Sequence, residues 1–353
     1  MGRLLAAIAA GMFASCSLLT NPRVQSSATA VCRSAPPGAP TLGWSMPPGA
    51  AERRRLDAWC AGVGPPLFEA TQNTSGAAER RLASEVAFVS WNVHVGAGDV
   101  ERLVNDLREG RLGRPRVDEF VLMIQEAVRF ENVPAGVVPG ARNARWIGVE
   151  KTPAFDIGAV ARRLHMSLFY VPSMRNGGAA RGDRAASDRG NAILSTLPLA
   201  DPLAIELPGR RQRRVSVRAV VPLNLNGREV RVAIGSTHFN VLGSAQTLWM
   251  FGAASARAQQ AEALIRSLGT GPAIVGGDVN SWEGRNERAV RALLEAFPET
   301  PAQPETTFRN GLVLDWMFFR LPPGSNGRVI RARERYGADH YPIIGWISTA
   351  ATE

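Results

Sequence analysis

Between residues 86 and 347 the chain repeats one device: a short apolar run that ends in a small cluster of polar side chains. The clearest instance is Pro272-Ala273-Ile274-Val275, followed by Gly276-Gly277-Asp278-Val279-Asn280. A brief apolar run bounded by Gly and Pro describes a buried strand. Asp278 and Asn280, two residues apart, leave the mouth of such a strand on the same side, because strand side chains alternate faces. The carboxylate can accept a proton or orient a water, and the amide can donate to a phosphoryl oxygen. Taken alone, Gly-Asp-x-Asn equally describes an ordinary strand-to-loop turn in which Asp and Asn cap the backbone. The constraint comes from number, since five other polar clusters end strands in the same way. After the first cluster, Ala289, Leu293, Leu294 and Phe297 fall at helical spacing and predict a helix over 281–297.

Taken in order, Val86 to Val95 reads as a strand with Asn92 and His94 on one face, and a buried Asn needs partners. Val100 to Leu112 has the pattern of an amphipathic helix. Phe120 to Ile124 is a buried strand that exits in Gln125-Glu126. A carboxylate there suits either a hard, oxygen-ligated cation such as Mg²⁺ or a salt bridge. A helix over 157–165, with His165 structural at its end, leads to the strand Ser167 to Val171. The stretch Ser173 to Gly190, rich in Gly and Arg (Arg175, Arg181, Arg184, Arg189), is expected as a solvated loop. The strand Gly190 to Ser195 follows. Arg210-Arg211-Gln212-Arg213-Arg214 is expected on a solvated turn, the other reading being a phosphate-contacting ridge. The strand Val230 to His238 leads to a long helix marked by Arg257, Gln260 and Leu264. At that helix start, Trp249-Met250-Phe251 is read as core packing rather than membrane contact. In Leu312 to Phe319 the carboxylate of Asp315 interrupts an apolar strand and needs a partner. Ala338-Asp339-His340-Tyr341-Pro342 precedes a last strand, Ile343 to Ile347.

The start of the chain is different. Arg3 followed by the apolar run from Leu4 to Ser15 is an export signal, too short to span a bilayer. Cleavage either precedes Cys16, as in a lipoprotein-type signal that leaves a lipidated cysteine, or follows Ala28-Thr29-Ala30. The expected division is a signal over 1–15, a Pro-rich tether over 16–50, a helical extension over 51–85 and a catalytic domain over 86–350. Within the extension, 51–68 is expected as one helix. Export places the protein in the periplasm, on a membrane through Cys16, or outside the cell. It also makes Cys32 and Cys60 a plausible disulfide, against two reduced thiols. No Cys/His spacing suggests zinc. The 353 residues carry 41 basic against 31 acidic side chains, +10 in all, with Lys151 the single lysine. Such a surface favours polyanionic partners, although coding bias towards arginine gives the same composition.

The clusters Trp91-Asn92-Val93, Gln125-Glu126, Gly190-Asn191-Ala192-Ile193-Leu194-Ser195, Thr237-His238, Gly277-Asp278-Val279-Asn280, Leu314-Asp315-Trp316 and Asp339-His340 follow one another in an order that resembles the endonuclease/exonuclease/phosphatase superfamily. The resemblance covers about three quarters of the chain. It implies an α/β fold, the DNase I-like four-layer sandwich of two packed mixed sheets flanked by helices. It implies a metal-dependent phosphoric ester hydrolase using Mg²⁺, with Mn²⁺ or Ca²⁺ as alternatives. In it Glu126 and Asp339 lie at the metal, and Asn92 and Asn280 at the substrate phosphate. Asp278 activates the water, His340 is oriented by Asp315, and His238 is a second active-site histidine. The implied substrate is a phosphate ester, with nucleic acid favoured by the charge and phospholipid or inositol phosphate as the alternative. A reading from another class is a catalytically silent binding domain of the same fold. Trp316 departs from the Tyr or His often found at its position. No residue matches the tyrosine of abasic-site nucleases, Tyr170 lying too early in its strand.

Overall fold

In the computed structural model, residues 42–46, 49–70, 86–112, 116–134, 155–176, 187–209, 212–225, 227–241 and 251–349 are described. The expected signal, Cys16, Cys32, Arg181, Arg184 and Trp249-Met250 lie outside these residues, as does most of the expected tether.

The strands are β1 (Gly43–Ser45), β2 (Leu67–Glu69), β3 (Ala87–Asn92), β4 (Phe120–Arg129), β5 (Ser167–Arg175), β6 (Asp188–Ser195), β7 (Ala200–Leu207), β8 (Arg214–Leu225), β9 (Arg228–His238), β10 (Ala273–Asp278), β11 (Asp315–Arg320), β12 (Ser325–Arg331) and β13 (Ile343–Thr349). The helices are α1 (Ala50–Cys60), α2 (Val100–Arg108), α3 (Ile157–Arg163), α4 (Phe251–Leu268) and α5 (Arg288–Ala296). The first sheet runs β1-β7-β8-β9-β10-β11 and the second β12-β13-β3-β4-β6-β5-β2, both mixed.

Period-2 alternation explains why the strands read as unbroken apolar runs: both of their faces are covered. In β4, Phe120, Leu122 and Ile124 face outward among residues of α2 and α3, while Val121 and Met123 face the other sheet. In β11, Trp316 and Phe318 lie with residues of α4 and α5, while Met317 and Phe319 point between the sheets. The result is helix, sheet, sheet, helix, the four-layer sandwich expected. The inner faces meet with β11 against β13, β10 against β3, β9 against β4 and β8 against β6. The outer helices start where local chemistry says they should. Asp99 and Asp156 cap α2 and α3 through Oδ1 on the main-chain N–H of Arg102 and Ala159, at 3.0 and 2.8 Å.

Several expectations are corrected. The helix of 51–68 ends at Cys60, because Gly62, Gly64 and Pro65-Pro66 cannot continue it. Its last residues instead form β2, antiparallel to β5. Residues 43–45, read as tether, are β1, parallel to β7. Cys60 is buried and disulfide-bonded, its partner lying outside the described residues. The helix of 281–297 is broken into a single 3-10 turn over Gly284–Asn286 and α5. Gly284 adopts φ +54°, and the Glu287 carboxylate that could cap α5 is paired with Arg257 instead. The Ser173 to Gly190 loop is shorter than expected, since β5 extends to Arg175 and β6 begins at Asp188.

Candidate active site

The polar residues that end strands collect along one rim of the sandwich. On the first sheet, Asp315 opens β11, Asp278 closes β10 and His238 closes β9, on three adjacent strands. Asp278 pairs in register with both His238 and Asp315. On the facing sheet Asn92 closes β3 and Glu126 lies in β4, while His340 stands just before β13.

Asp278 is held at both oxygens. Asn92 Nδ2 donates to Oδ2 at 3.0 Å and the Asn280 main-chain N–H donates to Oδ1 at 2.9 Å. Asn280 reaches this position in a left-handed conformation, φ +51°, and its own amide donates to the Phe239 carbonyl at 3.0 Å. Burial raises the Asp278 pKa to about 7 against the pull of nearby His340. His340 Nδ1 lies 2.7 Å from Asp315 Oδ2, and its Nε2 is 3.8 Å from Asp278 Oδ2. Burial alone would lower the histidine, but Asp315, Asp278 and Asp339 outweigh it and carry its pKa to about 10. The Phe308 ring at 4.7 Å and the Trp91 Nε1–H bond to the His340 carbonyl at 3.1 Å hold this residue in place. His238 behaves oppositely. Burial first, then the charges of Arg214, His340 and Arg189, push its pKa well below the usual value, leaving a neutral ring 3.4 Å from Asp278.

Glu126 does not sit at a strand exit as expected. It lies within β4 at a bulge where the register to β6 shifts between Ile124 and Ala127, and it takes φ +57°. A bulge re-aims a side chain, and here it turns a partly exposed carboxylate to the rim, with Oε2 accepting from the Val95 N–H at 3.0 Å. Beneath it Gln125 stitches the sheets together, donating to Ser236 Oγ at 3.1 Å, while Ser236 donates to the Ile124 carbonyl at 3.1 Å.

His94, expected beside Asn92 on a strand face, is past the strand end in a turn where His94 and Val95 have φ +49° and +54°. A β-branched residue there is strained. The turn brings His94 Nδ1 within 3.0 Å of Asp339 Oδ1. That hydrogen bond raises the His94 pKa; it also lowers that of Asp339, against the effect of the latter's burial. His94 was not among the expected site residues, and its place two positions after Asn92 was the available signal. Tyr170 is fully buried on Asp188 at 2.7 Å, away from the rim. The Arg210 to Arg214 stretch is corrected at its end: Arg213 and Arg214 are buried, Arg213 on Glu206, and Arg214 with its charge acting on Glu126 and Asp278.

Ligand-type atoms of Asp278, Asp315 and His340 lie within 4.8 Å of one another, a group able to hold a cation. The Asp315 and His340 atoms are already joined to each other. Glu126 makes no ion pair among the described residues and offers a hard oxygen at the rim, the donor type that Mg²⁺, Mn²⁺ or Ca²⁺ prefers. The residues therefore fit a divalent metal.

An oriented carboxylate of raised pKa, an acid-held imidazolium and a place for a hard cation, on a four-layer sandwich, define a hydrolase of phosphoric esters. The sequence profile described as Endonuclease/Exonuclease/phosphatase family matches residues 89–340. The chain belongs to that family. No curated protein matches it in sequence. Among solved structures, the human Nocturnin catalytic domain with bound sulfate is similar over 76% of this chain and 96% of its own, at 16% identity and TM-score 0.49. A family protein from Leptotrichia buccalis covers 74% and 99% at 14% identity and TM-score 0.48. Sphingomyelinase C from Streptomyces griseocarneus covers 75% and 99% at 15% identity and TM-score 0.41.

Proposed function

We propose that the chain is a Mg²⁺-dependent phosphodiesterase, a nuclease in preference to a lipid hydrolase, exported and attached to a membrane through a lipidated Cys16. The observation that carries the chemistry is the Asp278–His340–Asp315 arrangement. Asp278, fixed by Asn92 and Asn280, takes the proton of the attacking water. His340, kept protonated by Asp315, donates to a phosphoryl oxygen as negative charge grows there. Neutral His238 lends a ring nitrogen to Asp278 or the water. Mg²⁺ held by Glu126 and Asp339 would supply positive charge at the phosphoryl group. All of these side chains are present, which argues against a silent binding domain. The net charge of +10 supports a polyanionic substrate.

One exposed side chain serves both readings. Trp282, two residues past Asn280, leaves 47% of its surface exposed, suited to an apolar interface or to stacking on a base. Comparing plasmid nicking with phosphocholine release from sphingomyelin, each with Mg²⁺ and with chelator, separates the readings. Hydrolysis unaffected by chelator and by Asp278→Ala would remove the mechanism. Incorporation of labelled palmitate, lost in Cys16→Ser, tests the anchor.

A further inference from the structure

Among the described residues, three buried arginines have dedicated buried carboxylates: Arg129 with Asp188, Arg213 with Glu206 and Arg257 with Glu287. Two others do not. Arg189 is 7% exposed and Arg214 5%, and the Nε of each is buried without a hydrogen-bond partner. Their remaining contacts are weak: Arg189 Nη2 with Met174 Sδ at 4.0 Å, and Arg214 Nη2 with Gln212 Oε1 at 3.4 Å. Neither guanidinium is ion-paired to a carboxylate among the described residues, and Glu126 and Asp278 act on Arg214 only from further off. Two such buried charges side by side are costly and favour a bound anion.

Their position says which anion. The rim residues of the first sheet stand on successive strands, Asp315 on β11, Asp278 on β10 and His238 on β9, and Arg214 on β8 is next in line. On the second sheet Asn92 on β3 and Glu126 on β4 are followed by Arg189 on β6, one ladder step past the bulge, opposite Val128. Strands β6 and β8 face each other. The arginines therefore close the row at the end opposite His340, and the strand bearing Arg214 lies roughly 10 Å from that bearing Asp278, at about 4.8 Å per strand. That is one group further along a substrate than the bond being cut. Both charges reach His238, the ring between them and Asp278. The arginines are about as buried as His340, at 7% and 5% against 5%.

We propose that Arg189 and Arg214 form a subsite for a second phosphoryl group of the substrate, separate from the scissile one and outside the hydrolytic machinery. Two planar forks match the oxygens of a tetrahedral dianion bidentately. The preferred substrate then carries a phosphate on the group flanking the phosphodiester. This rests on the phosphodiesterase reading for its substrate, but the subsite can be tested without catalysis.

The probe is inorganic phosphate, titrated in chelator against the thermal unfolding of the full chain. The parent gains Tm saturably, and Arg189→Met or Arg214→Met weakens phosphate binding at least tenfold. Without phosphate, these variants unfold at the parent temperature or above it, because an unmatched buried charge has gone. Arg257→Met, which strands Glu287, lowers the Tm. Equal protection of the parent and both Met variants would overturn the subsite. So would a loss of Tm in those variants comparable to that in Arg257→Met, which would make the two arginines structural. With Mg²⁺, the p-nitrophenyl diester of thymidine 5′-phosphate is compared with and without a 3′-phosphate. The variants lose more kcat/KM on the phosphorylated substrate, chiefly through KM, and an equal loss on both counts against the subsite. If phosphate binding behaves as stated and neither ester is hydrolysed, the subsite stands and the phosphodiesterase reading fails.

Discussion

His340 Nδ1 lies 2.7 Å from Asp315 Oδ2, joining a histidine that precedes β13 of one sheet to the first residue of β11 in the other. The bond fixes the ring so that Nε2 faces Asp278 at 3.8 Å, and it favours the protonated imidazole. Asp315→Asn keeps the shape and removes the charge. Its expected result is a loss of kcat of about 10²–10⁴, the usual range for a positioned proton donor, with the circular dichroism spectrum unchanged. An Asn variant of parental kcat would show that His340 needs no such support.

The raised pKa of Asp278 has consequences for stability as well as catalysis. Its folded value near 7 lies above the ordinary carboxylate value of 3.8, so the folded protein holds this proton more tightly than the unfolded chain. The group therefore favours folding below about pH 4, and that contribution is lost as pH rises through 7. At about 1.4 kcal/mol per pKa unit the change amounts to a few kcal/mol. In metal-free buffer, Asp278→Asn should show a smaller fall in unfolding free energy than the parent between pH 4 and 7, measured by urea titration. Parallel curves would show that Asp278 does not titrate in this range.

The same residues show what was legible in the sequence. Apolar runs of β3, β4, β10 and β11 were readable because both faces are buried, and a polar residue at one end of β3, β10 and β11 named Asn92, Asp278 and Asp315. Glu126 and His94 were harder. Both sit in left-handed conformations, one in a bulge and one in a turn, so strand alternation misplaces them. Arg214 was read as solvated because a run of arginines carries no mark of which member is buried. β1 and β2 have three residues each, too few for periodicity to register, and their partners β7 and β5 are more than 90 residues away.

Glu126, turned outward by its bulge, is a partly exposed metal donor at the rim. Glu126→Gln keeps the hydrogen bond to Val95 N–H and removes a negative charge. The Mg²⁺ concentration giving half-maximal hydrolysis should rise about 10–100-fold, followed by titration into metal-free enzyme. An unchanged requirement would move the cation to the Asp278–Asp315–His340 group.

Gly190 tests how tightly β6 is pressed on β5. A Cβ there would lie 1.9 Å from the Val171 carbonyl oxygen and 2.7 Å from Pro172 Cα, both backbone atoms. No rotamer change relieves that contact, so Gly190→Ala must part the strands that place Arg189 and Asn191. Unfolding free energy should fall by about 3 kcal/mol, the upper part of the range for overpacking. Gly271→Ala, with nothing within 4 Å of the new methyl, should stay within about 0.5 kcal/mol of the parent.

Asp188 joins the N-terminal segment to the second sheet. Its two oxygens accept from Arg129 Nε at 3.2 Å, Arg129 Nη2 at 2.5 Å, Tyr170 Oη at 2.7 Å and the Gly64 main-chain N–H at 2.8 Å, all of them buried. Arg129 also donates to the Pro65 carbonyl. Removing the carboxylate strands a buried guanidinium and frees Gly64-Pro65, the stretch that leads into β2. Asp188→Ala should therefore cost about 3–5 kcal/mol, and limited proteolysis should cut first near residues 61–66. Because Asp188 directly precedes Arg189, the same variant should also weaken phosphate protection. Arg129→Met leaves Asp188 in place with one partner fewer, and a loss of stability as large as that of Asp188→Ala would assign the effect to the ion pair rather than to the wider network.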